Sequence, residues 1–176
     1  MGRQMRQRGQ AVLETALITP ILIALLFGAF NAGVLLSDKV VVDASARAGA
    51  RLGTAIGGAQ RPDAATATAT IDADIVQNVL VVANAINYAT VTQITIYKPS
   101  RLDGVYTSGD PADIFNASGV QIGSAGYPLT ARIQLPPNQT SLGVKVDWTY
   151  KPPMGLNTVS LNMSEYAVMK MSPVEN

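Results

Sequence analysis

Glu14 is the residue best placed to do chemistry, because it closely follows Gly9 and stands at the edge of an uncharged, apolar segment. A carboxylate at the edge of a membrane helix is costly unless it reaches water or finds a positive partner. Glu14 could reach the aqueous headgroup layer, or it could pair with a cation on a neighbouring subunit. A backbone cut after Gly9 would supply such a cation, the α-amino group of Gln10. A helix N-terminus disfavours an ammonium, so a nearby carboxylate would help it.

The apolar segment after Glu14 contains no charged residue from Thr15 to Leu36. About 20 apolar residues in a helix cross the hydrocarbon core of a bilayer, so we predict a transmembrane helix over about residues 15–36. Three basic residues precede it: Arg3, Arg6 and Arg8. Positive charge marks the cytoplasmic side of a membrane segment. We therefore expect a cytoplasmic N-terminus and an extracytoplasmic remainder.

A removable secretory signal is the alternative interpretation of this segment. Such signals have an apolar core of about 7–15 residues and a small-residue cleavage site. The segment here is longer, and no loop-like break follows it. Four small residues would still allow signal peptidase cleavage: Gly28, Ala29, Ala32 and Gly33.

The composition argues against most enzyme classes. The chain of 176 residues has no cysteine and no histidine, so it lacks thiolate ligands and the commonest general base and metal ligand. Its net charge is only +1, which gives no broad basic face for nucleic acid. We expect no catalytic residues, no metal, no cofactor and no nucleic-acid partner.

The helix is predicted to continue beyond the membrane as a stalk, here defined as residues 37–57. A helix from Gln10 to about Ile56 would be roughly 70 Å long at 1.5 Å per residue. Charged residues recur at every fourth position of the stalk, which aligns them on one face: Lys39, Asp43, Arg47 and Arg51. Gly49 and Gly53 would let another backbone approach closely. The stalk could pack on the chain's own domain, on helices of other subunits, or on both.

Residues 58–176 are predicted to form an extracytoplasmic domain. Asp63 could cap a second, amphipathic helix that runs to about Asn87. Strand patterns then follow at 91–97, 129–135, 142–150 and 159–171, and the short connections between the last three favour an antiparallel arrangement. The predicted fold class is therefore α+β: a long N-terminal membrane-spanning and stalk helix, a second helix, and a small antiparallel sheet.

Residues 99–127 are rich in Gly, Ser, Asp and Asn, and we predict a long exposed loop there. Asp103, Asp110 and Asp113 could bind calcium, but they are also ordinary residues of solvated turns. Asp72 and Asp74 match no calcium-binding loop, and acids at a helix start are favoured by the helix dipole. We expect both groups to be structural.

Several segments carry a family resemblance. Gly9 followed by Glu14 resembles the processing site of type IV prepilins. Residues 10–20 resemble the start of TadE-like proteins, the pseudopilins of tight-adherence (Tad/Flp) pilus systems, although Thr15 stands where that family commonly has an aromatic residue. Residues 44–51 resemble the family's Ala-, Gly- and Arg-rich segment, and residues 144–152 and 167–171 are similar to its closing strands.

The resemblance implies a structural component of Tad pilus assembly rather than an enzyme. A prepilin peptidase would cut between Gly9 and Gln10, removing a leader of residues 1–9, and Glu14 would guide subunit registration. The helix, residues 10–57, would mediate homo- or hetero-oligomer contacts. The stalk residues expected to pack are Arg47, Gly49, Arg51 and Gly53.

The expected partners are prepilin peptidase, other Tad pilins or pseudopilins, and the pilus platform of the bacterial inner membrane. After processing, the protein could also enter the pilus. The alternative function is that of an uncleaved, single-pass membrane-anchored binding module whose 99–127 loop recognises a ligand or surface.

Overall fold

The computed structural model describes residues 2–154 and 160–173, with side chains from residue 12 onward. A single helix, α1, spans Gly2–Ile56, which is about 80 Å at 1.5 Å per residue. Pro20 lies inside it and cannot donate the usual backbone hydrogen bond. The hydroxyl of the preceding residue, Thr19, donates to the carbonyl of Thr15 at 2.6 Å, and the helix continues without a break.

Among the other described residues, one further α-helix and a five-stranded sheet form the domain. Helix α2 spans Thr68–Ala83. The strands are β1 (Ala89–Tyr97), β2 (Ala112–Asn116), β3 (Gln121–Ile122), β4 (Ser141–Tyr150) and β5 (Leu161–Lys170). Their order in the sheet is β3-β2-β1-β4-β5, and every neighbouring pair is antiparallel. The predicted α+β class is confirmed.

The core lies between the two helices and one face of the sheet. Strand β4 shows why the sheet packs this way, since its buried apolar side chains alternate with polar ones. Leu142, Val144, Val146 and Trp148 are buried. The opposite face is polar: the ammonium of Lys145 lies 2.8 Å from the carboxylate of Asp147.

Strand β4 runs alongside α1 in the opposite direction. Gly53 of α1 packs on Leu142 at the start of β4. At the other end, the hydroxyl of Tyr150 donates to the carbonyl of Asn31 at 2.9 Å. The domain is therefore attached along the helix from Asn31 to Gly53, and the stalk belongs to the domain.

Two predicted elements differ from the structure. The strand expected at 129–135 is wrong: Leu129–Ala131 form a 3₁₀ turn, because Leu129 and Arg132 both turn inward and are fully buried. The second helix is shorter than predicted, and the carboxylate of Asp63 binds the guanidinium of Arg61 at 2.9 Å instead of capping it.

The segment 99–127 is only partly an exposed loop. It contains β2 and β3, and β2 pairs with β1 in the interior of the sheet. The prediction missed β2 because one of its two buried side chains is a carboxylate, that of Asp113, while the other is Phe115.

Candidate functional site

The N-terminal end of α1 holds the predicted cleavage position. Gly9 and Gln10 lie in helical backbone, and the side chain of Gln10 lies outside the described part of the structure. From Val12 to Phe30 every side chain is exposed. The large apolar members are Val12, Leu13, Leu17, Ile18, Ile21, Leu22, Ile23, Leu25, Leu26, Phe27 and Phe30. No described residue of the protein covers this apolar surface, which is the property of a helix that anchors in a membrane.

Asn31 joins the apolar part of α1 to the connection that follows β4. Its side-chain amide donates to the carbonyl of Met154, and its side-chain oxygen accepts the Met154 amide at 3.3 Å. The Tyr150 hydroxyl binds its backbone carbonyl. The sequence contained a signal for this contact, because Asn31 is the only amide side chain among the residues from Thr15 to Leu36.

Asp38 makes the next attachment, on the turn between α2 and β1. Its two carboxylate oxygens accept the backbone amides of Asn87 and Tyr88, each at 3.0 Å. The residue is buried. Because buried polar groups need partners, the carboxylate and the turn hold each other in place.

Small residues of α1 let the helix lie close to the rest of the domain. A Cβ atom at Gly49 would collide with Val79 of α2 and would lie 3.6 Å from Val144 of β4. At Gly53 it would lie 3.0 Å from Ile75 and 3.1 Å from Leu142. These two predicted packing residues therefore contact the chain's own domain.

The charged residues that recur at every fourth position of the stalk lie on its outer side, unlike the buried Asp38. Arg47 and Arg51 are exposed, and Arg47 pairs with Asp43 at 2.8 Å. Lys39 pairs with Glu165 of β5 at 3.4 Å, a contact that links the helix to the edge of the sheet. The exposed arginines leave a polar face of α1 available outside the domain.

A buried ion cluster lies between α2, β2 and the 3₁₀ turn. The guanidinium of Arg132 donates to the Asp72 carboxylate at 2.6 and 3.0 Å and to Asp113 at 3.3 Å. It also donates to the Tyr127 carbonyl at 2.7 Å and lies 4.8 Å from the centre of the Tyr127 ring. Asp113 additionally accepts the amide of Gly126 at 2.6 Å.

This cluster corrects two expectations. Asp72 does not lie in the first turn of a helix, where its charge would interact with the helix dipole. Helix α2 begins at Thr68, and the Asp72 side chain is buried against Arg132. Asp113 does not belong to a solvated loop. Burial raises the pKa of Asp72 to about 7. Arg132 acts in the opposite direction and lowers this pKa, but its one positive charge is shared between Asp72 and Asp113.

The remaining loop acids have structural partners. Asp103 pairs with Arg101 at 2.6 Å on the surface, which lowers the pKa of Asp103. Asp110 accepts the amide of Thr107 at 2.8 Å. Within the described residues, no group of acidic side chains is arranged to hold a metal ion.

Comparison with known proteins bears on the N-terminal helix. Residues 9–51 match the family described as TadE-like protein. No curated protein and no solved structure matches the chain. The matched segment begins at the predicted cleavage glycine, covers the exposed apolar helix, and ends within the part of α1 that packs on the domain. Over this N-terminal segment the chain is therefore similar to TadE-like proteins.

Proposed function

We propose that this protein is a membrane-anchored assembly component of a Tad-type pilus, a pseudopilin or minor pilin. The TadE-like family is a structural class associated with Tad pili. The observation that supports the proposal most is the arrangement of α1. Gly9, Glu14 and an exposed apolar helix follow one another within the matched segment, and the same helix continues into the domain core.

Prepilin peptidase would cut between Gly9 and Gln10. The cut would remove three basic residues of the leader, Arg3, Arg6 and Arg8, and would leave an α-amino group at Gln10. The membrane helix and the attached domain would be unchanged, because the described attachments of the domain lie from Asn31 onward. Processing would thus alter only the end of the helix that enters an assembly.

Glu14 would register each subunit against the new α-amino group of its neighbour. A carboxylate within the apolar part of a membrane helix is stabilised by a cation partner, and the ammonium at Gln10 is stabilised by a nearby negative charge. The two groups lie on the same segment of every subunit. Pairing between neighbours would therefore fix an axial offset of about one helical turn.

The stalk would contact other subunits through its outer face. Gly49 and Gly53 already pack on the chain's own domain, so subunit contacts would use Arg47, Arg51 and the exposed residues beside them. The proposed partners are other pilins or pseudopilins and the inner-membrane platform. The domain would lie outside the cytoplasmic membrane, since the arginines precede the apolar helix.

The proposal is tested by assembly assays in cells that lack the native gene. Gly9→Val is expected to block processing and assembly, while Gly2→Ala, in the same leader, is expected to leave both intact. Glu14→Ala should allow processing but reduce assembly, and Val12→Ala serves as its control on the same exposed part of α1. Normal assembly by Gly9→Val and Glu14→Ala would contradict the proposal and leave the uncleaved binding module as the better account.

A further inference from the structure

The attachment of the domain to Asn31 determines how deeply α1 can enter a bilayer. The backbone of Met154 and the hydroxyl of Tyr150 both bind Asn31. Lys151, whose side chain is exposed, lies between them in the sequence. Irregular, exposed backbone does not occur in the hydrocarbon region because lipid tails cannot satisfy its polar groups. The hydrocarbon region must therefore end before Asn31.

The exposed length of α1 agrees with this boundary. Residues 12–30 carry no contact that buries them in the domain, and they span about 28 Å at 1.5 Å per residue. The hydrocarbon core of a bilayer is about 30 Å thick. By contrast, the side chains of Val34 and Leu35 are partly buried against the domain core, so they contact protein rather than lipid.

The end of the domain near Asn31 has the side chains expected at a membrane interface. We define the base of the domain as Tyr88, Lys151, Met154 and Leu161. The amide of Lys151 donates to the Tyr88 carbonyl at 2.8 Å, and Leu161 pairs with Tyr150 across the sheet. Tyr88, Met154 and Leu161 are 44%, 43% and 42% exposed.

Each residue type of the base suits the boundary between water and lipid. Tyrosine is enriched at the headgroup level, where its ring is apolar and its hydroxyl reaches water. A lysine can bury its methylene groups while its ammonium meets lipid phosphates. Met154 and Leu161 offer apolar surface to the upper acyl chains.

We propose that the base of the domain rests in the lipid headgroup layer, with the hydrocarbon span of α1 ending at about Phe30 rather than Leu36. The bilayer is the occupant of this surface because Met154 of the base binds Asn31, the residue that follows the exposed apolar segment of α1, while Tyr88 lies farther out, bound to Asp38. This inference rests on α1 crossing a membrane and does not depend on cleavage or pilus assembly.

The proposal also changes the depth of Glu14. A span of about 20 residues that ends at Phe30 begins at about residue 11. Glu14 then lies about 4.5 Å inside the inner edge of the hydrocarbon. With the span of 15–36 predicted from sequence, it would lie outside that edge. The deeper position strengthens the physical reason for a cation partner in the assembly.

Site-directed spin labelling of the full chain tests the position of the base. The protein has no cysteine, so single variants can be labelled without a modified background. Met154→Cys and Leu161→Cys report on the base, and Ser108→Cys, exposed in the loop after Tyr97 at the far end of β1, is the control. The protein is placed in phosphatidylethanolamine–phosphatidylglycerol vesicles, and collisions with lipid-soluble oxygen and a water-soluble nickel chelate are measured.

We expect the ratio of oxygen to nickel accessibility to be severalfold higher at positions 154 and 161 than at 108. Nickel accessibility at 154 and 161 equal to that at 108 would overturn the proposal. Protection of both positions from both reagents would overturn it too, because a protein neighbour would then cover the surface.

A second pair of labels locates the boundary along α1. Phe27→Cys should be buried in lipid, whereas Leu36→Cys should be markedly shallower. Equal depth at the two positions would contradict a boundary at Phe30. If Phe27 itself were accessible to nickel, the helix would not cross the bilayer at all, a failure of the anchor that is distinct from failure of the base contact.

Discussion

Arg132 and Asp72 form a two-point ion pair in the interior of the domain, with hydrogen bonds of 2.6 and 3.0 Å and both side chains buried. The pair joins the 3₁₀ turn to α2, and Asp113 extends it to β2. The cluster therefore connects three elements of the domain, and each of its buried charges has a partner of opposite charge.

Replacing Arg132 with leucine should strongly destabilise the domain. The substitution leaves Asp72 and Asp113 buried without their cation, and breaking a buried pair costs about 3–5 kcal/mol. Urea unfolding followed by fluorescence of Trp148, the single tryptophan, measures the free energy of unfolding. Arg101→Leu, which removes an exposed ion pair with Asp103, is the control and should leave the midpoint nearly unchanged. Equal midpoints for the two variants would show that the buried pair contributes little.

Asp72 should make the domain less stable as the pH rises from about 4 to about 7. Its pKa is raised from 3.8 to about 7 in the folded protein, so in this window the folded state binds more protons than the unfolded state. The free energy of unfolding then falls with rising pH. Unfolding of Asp72→Asn at several pH values isolates this effect, because the other titrating groups are shared. If the free energy of unfolding of the wild type and of Asp72→Asn changed with pH in parallel, the raised pKa of Asp72 would be refuted.

Gly49→Val should destabilise the domain by about 1–3 kcal/mol, because the added side chain overpacks the contact with α2. A Cβ atom at this position already collides with Val79. Ala44→Val is the matched control, since Ala44 is exposed on the same helix; it should cost only the helix-propensity difference, about 0.6 kcal/mol. Thermal unfolding of both variants measures the contrast, which would be absent if α1 did not pack closely on α2.

Asp38→Ala should loosen the turn between α2 and β1. It leaves the amides of Asn87 and Tyr88 without their acceptor, at about 1–3 kcal/mol for each buried group that stays unsatisfied. Hydrogen exchange at these two amides should accelerate relative to the wild type. Asp43→Ala, whose partner Arg47 lies on the exposed side of α1, should leave their exchange unchanged. Unaltered exchange in Asp38→Ala would mean that the turn holds without this carboxylate.

The elements with regular apolar spacing could be predicted from the sequence. The long helix, the second helix and the strands around Ile94 and Val146 follow directly from periodicity. The strand at Phe115 could not be found this way, since Asp113 occupies a core position of β2. Similarly, the alternation around Leu129 suggested a strand, but the backbone turns there to bring Arg132 inward.

Contacts between distant residues explain the other differences. Asp72 and Arg132 are far apart in the sequence, so the sequence pattern around either residue does not reveal that they form an ion pair. An acidic residue near the start of a helix is also explained by its interaction with the helix dipole. For Gly49 the sequence predicted only that another element packs closely against the helix at this position. Whether the packing partner was the same chain required the fold, which places Val79 against it.

The mass of the mature N-terminus, measured on protein isolated from its own cell membranes, tests the central claim most directly. Cleavage after Gly9 predicts a chain that begins at Gln10, and the Gly9→Val variant should retain the leader while Gly2→Ala is processed normally. A chain that keeps residues 1–9, or one that begins near Gly33 after signal peptidase cleavage, would contradict the proposal that α1 is a processed pilin-type helix.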